Sequence, residues 1–330
     1  MCLDGIHFKY ILYTDMSDIK HLVISGGGII GFSIYTALKK SHQQGLWNIQ
    51  QIESIYATSI GTIIAVILCL QYDWETTDEY LLNRPWKSIF NLDISSLLSS
   101  LDNRGLFDQS HFEQILDPLF RGKDLSLNIT IEEFYRWSNI ELHFFASELN
   151  EGFSKDVDFS YKTHPEWRLL DAMYCSCSLP ILFRPFLKET SCFIDGGIFL
   201  NYPLPQCLQQ IGENNKHQVL GFKRNVEKYI TNVKVTDDSS LLDSLMAILS
   251  KTMERILQDN KPIYIPNEII IHCSPLSFPE LFRVIELPEE RKRLFDKGEE
   301  CWNDFLQTKQ MSVVAQSEQP SPQPDPIQDL

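Results

Sequence analysis

Ser59 is the side chain whose setting most strongly indicates covalent chemistry. It lies in the sequence Ile-Tyr-Ala-Thr-Ser-Ile-Gly, where an apolar run stops at the serine and restarts over residues 62–70. That second stretch is too long and continuous for another strand so close by, so it predicts a buried helix. A serine on a sharp strand-to-helix turn presents its hydroxyl as a nucleophile, and the helix N-terminus favours developing negative charge. A structural N-cap is the simpler interpretation of a lone serine, but Gly61 favours the nucleophile because it lets the helix pack closely on the strand.

A glycine-rich loop precedes this serine. Gly26, Gly27, Gly28 and Gly31 fit the pattern G-x-G-x-x-G after a short apolar strand. Three interpretations are open: a dinucleotide site, a tight turn without a ligand, and an oxyanion hole whose backbone N–H groups face a substrate oxygen. A dinucleotide site needs an acidic residue at the end of the next strand, whereas Glu53 falls near that strand's beginning. A P-loop is excluded because no Gly-Lys-Ser/Thr follows.

The third segment of interest is Asp195-Gly196-Gly197, which follows a short apolar strand. An aspartate before glycines is commonly a turn residue, but it also holds a carboxylate at the end of a strand. Sites in open α/β sheets lie beyond the carboxyl ends of the strands, and all three segments are predicted at such ends. A nucleophilic serine needs a base. The best histidine, His272, follows a strand without a recognisable triad around it, so an aspartate acting directly on Ser59 is the alternative.

The elements that must position these residues follow from the apolar pattern. Strands are predicted at residues 22–25, 52–57, 141–147, 192–194, 218–222 and 268–272. Helices are predicted at residues 32–40, 62–70, 168–175, 239–257 and 288–307, with a mostly helical layer at 72–117. Successive strand–turn–helix units imply a parallel α/β sheet with right-handed crossovers.

Composition narrows the class of protein further. The 330 residues carry a formal net charge of -15, which argues against nucleic acid as a partner and against docking on anionic lipid by charge alone. The longest apolar run, residues 60–70, is too short for a transmembrane segment, and no signal peptide is evident. Eight scattered cysteines resemble no zinc site and are interpreted as buried thiols of a cytoplasmic protein.

Taken in order, these segments resemble the patatin-like phospholipase family. Its pattern is a G-x-G-x-x-G loop, a G-x-S-x-G elbow, and a D-G-G or D-G-A segment. Residues 26–31 match the first, residues 57–61 most of the second, and residues 195–197 the third. The stretches Arg-Gly-Leu-Phe-Asp at 104–108 and Cys-Ser-Cys-Ser-Leu-Pro at 175–180 resemble further family segments. The likeness covers residues 19–208, and the ordered set is more specific than any single motif.

The resemblance implies both a fold and a mechanism. The fold would be a three-layer sandwich whose mainly parallel central sheet is flanked by helices. Ser59 would be the nucleophile and Asp195 its base, with backbone amides around Gly27 and Gly28 forming the oxyanion hole. The reaction would be hydrolysis of an acyl ester in a lipid or phospholipid through an acyl-enzyme, without a metal or cofactor. A peripheral contact with a membrane is compatible with this activity.

One residue departs from the family pattern. Ala57 stands where the family usually has the first glycine of its elbow, and its Cβ is the smallest side chain that could crowd the turn. Ala57 therefore leaves open one alternative to an active hydrolase, a catalytically impaired lipid-binding or scaffold protein. A nucleotide-binding domain is a second alternative, and it rests on the glycine loop alone. Beyond the core, residues 209–310 are expected to complete the same domain, and the Gln-, Ser- and Pro-rich residues 311–330 to form a disordered tail.

Overall fold

A central mixed sheet organises the chain. The structure is a computed structural model that describes residues 18–91, 102–151, 155–226, 235–258, 263–275 and 277–317. Its strands are β1 (His21–Ile24), β2 (Ser54–Thr58), β3 (Gly105–Phe107), β4 (Glu141–Glu148), β5 (Lys155–Phe159), β6 (Ile181–Phe183), β7 (Phe186–Lys188), β8 (Ser191–Asp195), β9 (Val219–Val226) and β10 (Asn267–Cys273). The main sheet has the order β10-β9-β1-β2-β4-β8-β7, with β5 also paired to β4, whereas β3 and β6 form a separate pair.

The sheet changes direction at β4. Neighbours from β10 through β9, β1 and β2 to β4 are parallel. Beyond β4 the pairs β4–β5, β4–β8 and β8–β7 are antiparallel. The predicted parallel α/β core is confirmed, and an antiparallel edge is added to it. This edge decides how Asp195 reaches the site.

Helices cover both faces of the sheet. They are α1 (Gly31–Gln43), α2 (Ile60–Leu70), α3 (Trp74–Asn83), α4 (Trp86–Ile89), α5 (Gln109–Arg121), α6 (Ile131–Ser138), α7 (Leu169–Cys177), α8 (Leu204–Ile211), α9 (Leu241–Gln258), α10 (Phe278–Glu286) and α11 (Pro288–Ser317). Alternate strand residues point to opposite faces. Ile55 and Ala57 therefore join the large core with α1, α2 and α7, whereas Tyr56 packs towards α8. The three layers expected from the resemblance are present.

Helix α2, directly behind Ser59, is apolar on all sides. Every residue of α2 after the first is buried, so the helix is apolar all round and packs on several sides at once. Among the residues that the structure describes, no helix combines the length and apolar character needed to cross a bilayer.

The predicted layout needs correction at several points. Strands β5, β6 and β7 and helices α6, α8 and α10 were not predicted. The mostly helical stretch 72–117 also contains β3, which pairs with β6. The last helix, predicted to end near residue 307, continues to Ser317 as α11. The added residues contain no glycine or proline to stop the helix, and the next proline is Pro320. The expected disorder therefore does not begin at residue 311, and residues 318–330 lie outside the described part of the chain.

Candidate active site

Ser59 forms a strained turn between β2 and α2. Its φ of 55° and ψ of −129° lie where a residue with a side chain is seldom found. Such strain persists only when the surroundings hold it, and it is typical of functional sites. Gly61 makes the turn feasible, because a Cβ on it would lie 2.8 Å from the backbone oxygen of Ile24 in β1. The role predicted for Gly61, close packing of helix on strand, agrees with this geometry.

The hydroxyl of Ser59 donates a hydrogen bond to Asp195. The distance from Ser59 Oγ to Asp195 Oδ2 is 2.6 Å. The other carboxylate oxygen, Oδ1, accepts the backbone N–H of Gly197 at 2.6 Å. Both residues are almost enclosed, with exposed fractions of 8% for Ser59 and 3% for Asp195. A charge-assisted hydrogen bond of this length holds the hydroxyl in one orientation.

Burial shifts the proton affinity of this carboxylate. The pKa of Asp195 rises from its ordinary 3.8 to about 6, because desolvation disfavours the charged form. The hydrogen bonds from Ser59 and Gly197 and the positive charge of Arg224 oppose the rise. Asp195 therefore remains mostly ionised at neutral pH but binds a proton far more readily than a surface aspartate. That combination suits a general base.

Asp195 reaches Ser59 by a route that the sequence argument did not foresee. We expected the three segments to lie at the carboxyl ends of parallel strands, and for Asp195 this is wrong, because β8 runs antiparallel to β4. Thr58, the last residue of β2, pairs with Phe145 of β4. The next residue of β4, Ala146, pairs with Asp195 of β8. Strand β8 thus enters from beyond the carboxyl edge of the sheet and ends level with the serine.

The glycine loop between β1 and α1 divides into two pairs by role. The N–H of Gly26 donates to the carbonyl of Asn201 at 3.0 Å, and a Cβ on Gly26 would lie 3.0 Å from Ser59 Cβ. The N–H of Gly31 is engaged with carbonyls of the preceding turn, and a Cβ there would collide with Ile60. These two glycines allow close approach, and their amides are already used.

The other pair of glycines keeps its amides available. Gly28 has a φ of 55°, a conformation that favours glycine, and it lines a cavity beside Ser59. In the described part of the chain, the N–H groups of Gly27 and Gly28 donate to no protein acceptor. The sequence predicted four glycines for the oxyanion hole, and the N–H groups of two of them, Gly27 and Gly28, remain as candidate donors.

Two residues that the sequence analysis did not single out hold this arrangement together. The Ser176 hydroxyl accepts the N–H of Ser59 at 2.9 Å and donates to the carbonyl of Phe145 at 2.6 Å. The carbonyl of Asn201 binds Gly26, and its side-chain amide lies 3.4 Å from the carbonyl of Gly26. Ser176 lies in the family-like stretch 175–180, and Asn201 lies only within the wider range 19–208 that the resemblance covers. Neither contact is visible in local spacing.

Ala57 and the histidines that the structure describes lie outside the contact between Ser59 and Asp195. Ala57 is wholly buried in the main core, paired in β2 with Ile24 and Phe144, and the strained turn at Ser59 forms two residues later. Of the histidines within the described residues, none lines the cavity, and the Asp195 carboxylate accepts its hydrogen bonds from Ser59 and Gly197. An imidazole relay through His272 finds no support in this geometry.

An apolar cavity of about 200 Å³ opens at the serine. Four isoleucines on one face of α2 line it at helical spacing: Ile60, Ile63, Ile64 and Ile67. Aromatic side chains of α1 and of the helical layer complete much of the wall: Phe32, Trp86, Phe90, Phe107 and Phe112. Ser59 and Asp195 thus lie at the border of a cavity whose lining is otherwise largely apolar.

The sharp turn that carries Ser59 at the end of a parallel strand, with an apolar cavity beside it, is an arrangement that α/β hydrolases also use. Residues 22–208 match the family described as patatin-like phospholipase, and the chain belongs to this family of lipid hydrolases.

Individual relatives are distant. A protein of Invertebrate iridescent virus 6 called "Probable lipid hydrolase 463L" is 25% identical over 73% of this chain and 86% of its own length. "Uncharacterized protein R571" of Acanthamoeba polyphaga mimivirus is 27% identical over 57% of this chain and 61% of its own. The crystal structure of VipD from Legionella pneumophila has a TM-score of 0.49 and 14% identity, covering 88% of this chain and 67% of that one.

Proposed function

We propose that this protein hydrolyses acyl esters of lipids through a Ser59 acyl-enzyme, with Asp195 as the catalytic base. One observation carries the proposal: the 2.6 Å hydrogen bond from Ser59 Oγ to Asp195, at the border of an apolar cavity. A nucleophile held against its base, beside a space that suits a fatty acyl chain, has the parts that ester hydrolysis requires.

In the first half of the reaction, Ser59 Oγ attacks the acyl carbonyl carbon while its proton passes to Asp195 Oδ2. The carbonyl oxygen becomes an oxyanion. Collapse of this intermediate breaks the ester bond, and the proton held by Asp195 moves to the departing alcohol oxygen. The near-neutral pKa of Asp195, about 6, suits both transfers because the carboxylate can accept the proton and release it again.

The oxyanion needs donors that are already in place. The amides of Gly27 and Gly28 supply them in this proposal, since neither donates to an acceptor among the described residues and Gly28 lines the cavity with Ser59. Loss of one such donor typically costs about 10² to 10³ in turnover. The N-terminus of α2 adds a favourable partial positive charge.

In the second half, a water molecule attacks the acyl-enzyme. Asp195 takes the proton of the water as the new C–O bond forms, and returns it to Ser59 Oγ when the acyl bond breaks. The free fatty acid leaves and the hydrogen bond between Ser59 and Asp195 is restored. One carboxylate therefore serves both halves, and no second base is required.

The cavity indicates what kind of acyl group is favoured. From Ile60 to Ile67 the lining follows α2 for about 10 Å, which matches an extended acyl chain of about eight carbons. Each buried methylene contributes about 0.8 kcal/mol to binding. We expect medium-chain acyl groups to be better substrates than acetyl or butanoyl groups.

Labelling with a fluorophosphonate and product analysis on a lipid panel test the proposal. Wild type should be labelled and should release fatty acid, whereas Ser59→Ala should do neither. Ser54→Ala is the matched control, because Ser54 is a buried serine at the start of β2, the strand that leads to Ser59, and it bonds to His21 instead. Labelling of Ser59→Ala equal to wild type would refute the assignment. Lipid binding by wild type without release of fatty acid would favour the catalytically impaired alternative raised by Ala57.

A further inference from the structure

Helix α9 (Leu241–Gln258) carries an apolar stripe that faces solvent. Leu241, Leu245 and Ile248 are 71%, 40% and 63% exposed. Their spacing of four and then three residues places them on one face of the helix, along its first two turns. Scattered single apolar residues are ordinary on a surface, but a stripe of three indicates a contact site.

The opposite face of α9 packs beside the candidate active site. Met246 is buried in a cluster with Phe107 and Leu182, and both of these also line the cavity at Ser59. The helix also contacts the turn Gly196–Ile198, which directly follows Asp195. Helix α9 therefore exposes the stripe to solvent on one face and packs beside the candidate active site with the other.

The charge on α9 differs from that of the rest of the chain. Its acidic residues Asp243 and Glu254 are balanced by Lys251 and Arg255, so the helix is neutral while the chain carries -15. A strongly acidic protein is repelled by anionic lipid and has no basic patch here to overcome this. A neutral helix with an apolar stripe is complementary to a zwitterionic or uncharged lipid surface, into which such a stripe can dip.

We infer that the stripe Leu241–Leu245–Ile248 is the face by which this protein docks on a zwitterionic lipid surface. The inference rests on the proposed function insofar as a lipid is the substrate. Docking through α9 would bring the cavity at Ser59 close to the lipid–water boundary. An acyl chain could then enter the cavity without crossing water.

Flotation with phosphatidylcholine vesicles tests this inference. All variants are made in the Ser59→Ala background, so the vesicles stay intact and the result does not depend on hydrolysis. Replacing all three stripe residues with glutamine should lower vesicle partition by about 100-fold, and Leu241→Gln alone by about tenfold. The single variant keeps the test valid if the triple variant fails to fold, which thermal unfolding reports.

Trp137→Gln is the matched control. Trp137 is 42% exposed on α6. Its neighbours Tyr135 and Asn139 line a polar pocket with Lys20 and Glu53, at the amino ends of the strands and away from Ser59. Loss of an exposed apolar residue there should leave vesicle partition unchanged.

Each outcome bears on the inference. Loss of binding in the stripe variants but not in Trp137→Gln supports it. Equal binding by all variants would overturn it, as would binding that requires anionic lipid. Sedimentation without lipid tests a further occupant: self-association that the stripe variants abolish would overturn the inference, because a second copy of the chain would then cover this face. Failure of the proposed function would appear separately, as absence of fatty acid release by the protein with Ser59 intact.

Discussion

Replacing Asp195 by asparagine should affect turnover and stability in opposite directions. Asparagine keeps the shape of the side chain and can still accept the N–H of Gly197 through Oδ1. It has no charge and cannot take the proton of Ser59, so turnover should fall by about 10⁴-fold or more. The wild-type carboxylate is buried almost completely, so removal of its charge should raise the free energy of unfolding at neutral and alkaline pH.

The magnitude follows from the pKa of Asp195. A rise from 3.8 to about 6 corresponds to about 3 kcal/mol at 1.36 kcal/mol per unit. Between these two pH values the folded protein binds more protons than the unfolded chain, so wild-type stability falls as pH rises through this window. Asp195→Asn lacks this fall. The free energy of unfolding of Asp195→Asn should equal that of wild type below pH 3.8 and exceed it by about 3 kcal/mol above pH 6. For a chain of this length, that difference corresponds to about 4 °C in Tm.

Calorimetric unfolding of wild type and Asp195→Asn from about pH 4 to about pH 8 measures this difference. Asp73→Asn is the control. Asp73 is an exposed helix cap whose pKa is lowered, chiefly by the backbone N–H of Thr76, so its replacement should bring no gain that grows with pH. The wild-type kcat/KM should independently rise with a midpoint near pH 6.

A Tm difference that stays constant across this pH range would refute the reasoning. It would mean that asparagine acts through packing and not through the charge of Asp195. An equal Tm for both proteins at about pH 8, with turnover abolished, would mean that burial does not raise the pKa of this carboxylate.

Three further results are expected. Gly61→Ala places a Cβ 2.8 Å from the backbone oxygen of Ile24, so it should lower the free energy of unfolding by about 1–3 kcal/mol in urea titrations and reduce turnover. Arg224→Gln removes a charge that lowers the pKa of Asp195, so the midpoint of the kcat/KM profile should move to higher pH. Ile67→Phe fills the cavity far along α2, so kcat/KM for octanoyl esters should fall about tenfold relative to butanoyl esters.

The predicted strands and helices largely agree with the structure where local pattern decides them. The strands before Gly26 and Ser59 are apolar runs that stop at a serine or glycine, and the helix behind Ser59 is a continuous apolar run that stops before Gln71. Neighbours along the chain therefore define these elements. Strand β3 escaped prediction because three residues have no periodicity of their own, and it exists through pairing with β6. The direction of β8 escaped for a related reason, since strand orientation depends on the connection and not on composition.

The sequence by itself determined the sharp strand-to-helix turn at Ser59, because the apolar runs on either side of the serine define it locally. The contact that makes glycine necessary at position 61 is with Ile24 of the neighbouring strand β1, so it depends on the tertiary structure. Only the tertiary structure brought Asp195, 136 residues away, into hydrogen-bonding contact with that serine. It also decided which glycine amides stay free, because the engaged amide of Gly26 depends on Asn201. The tertiary structure also sets the pKa of Asp195. Segments that are distant in the sequence bury the carboxylate and remove the water that would stabilise its charge.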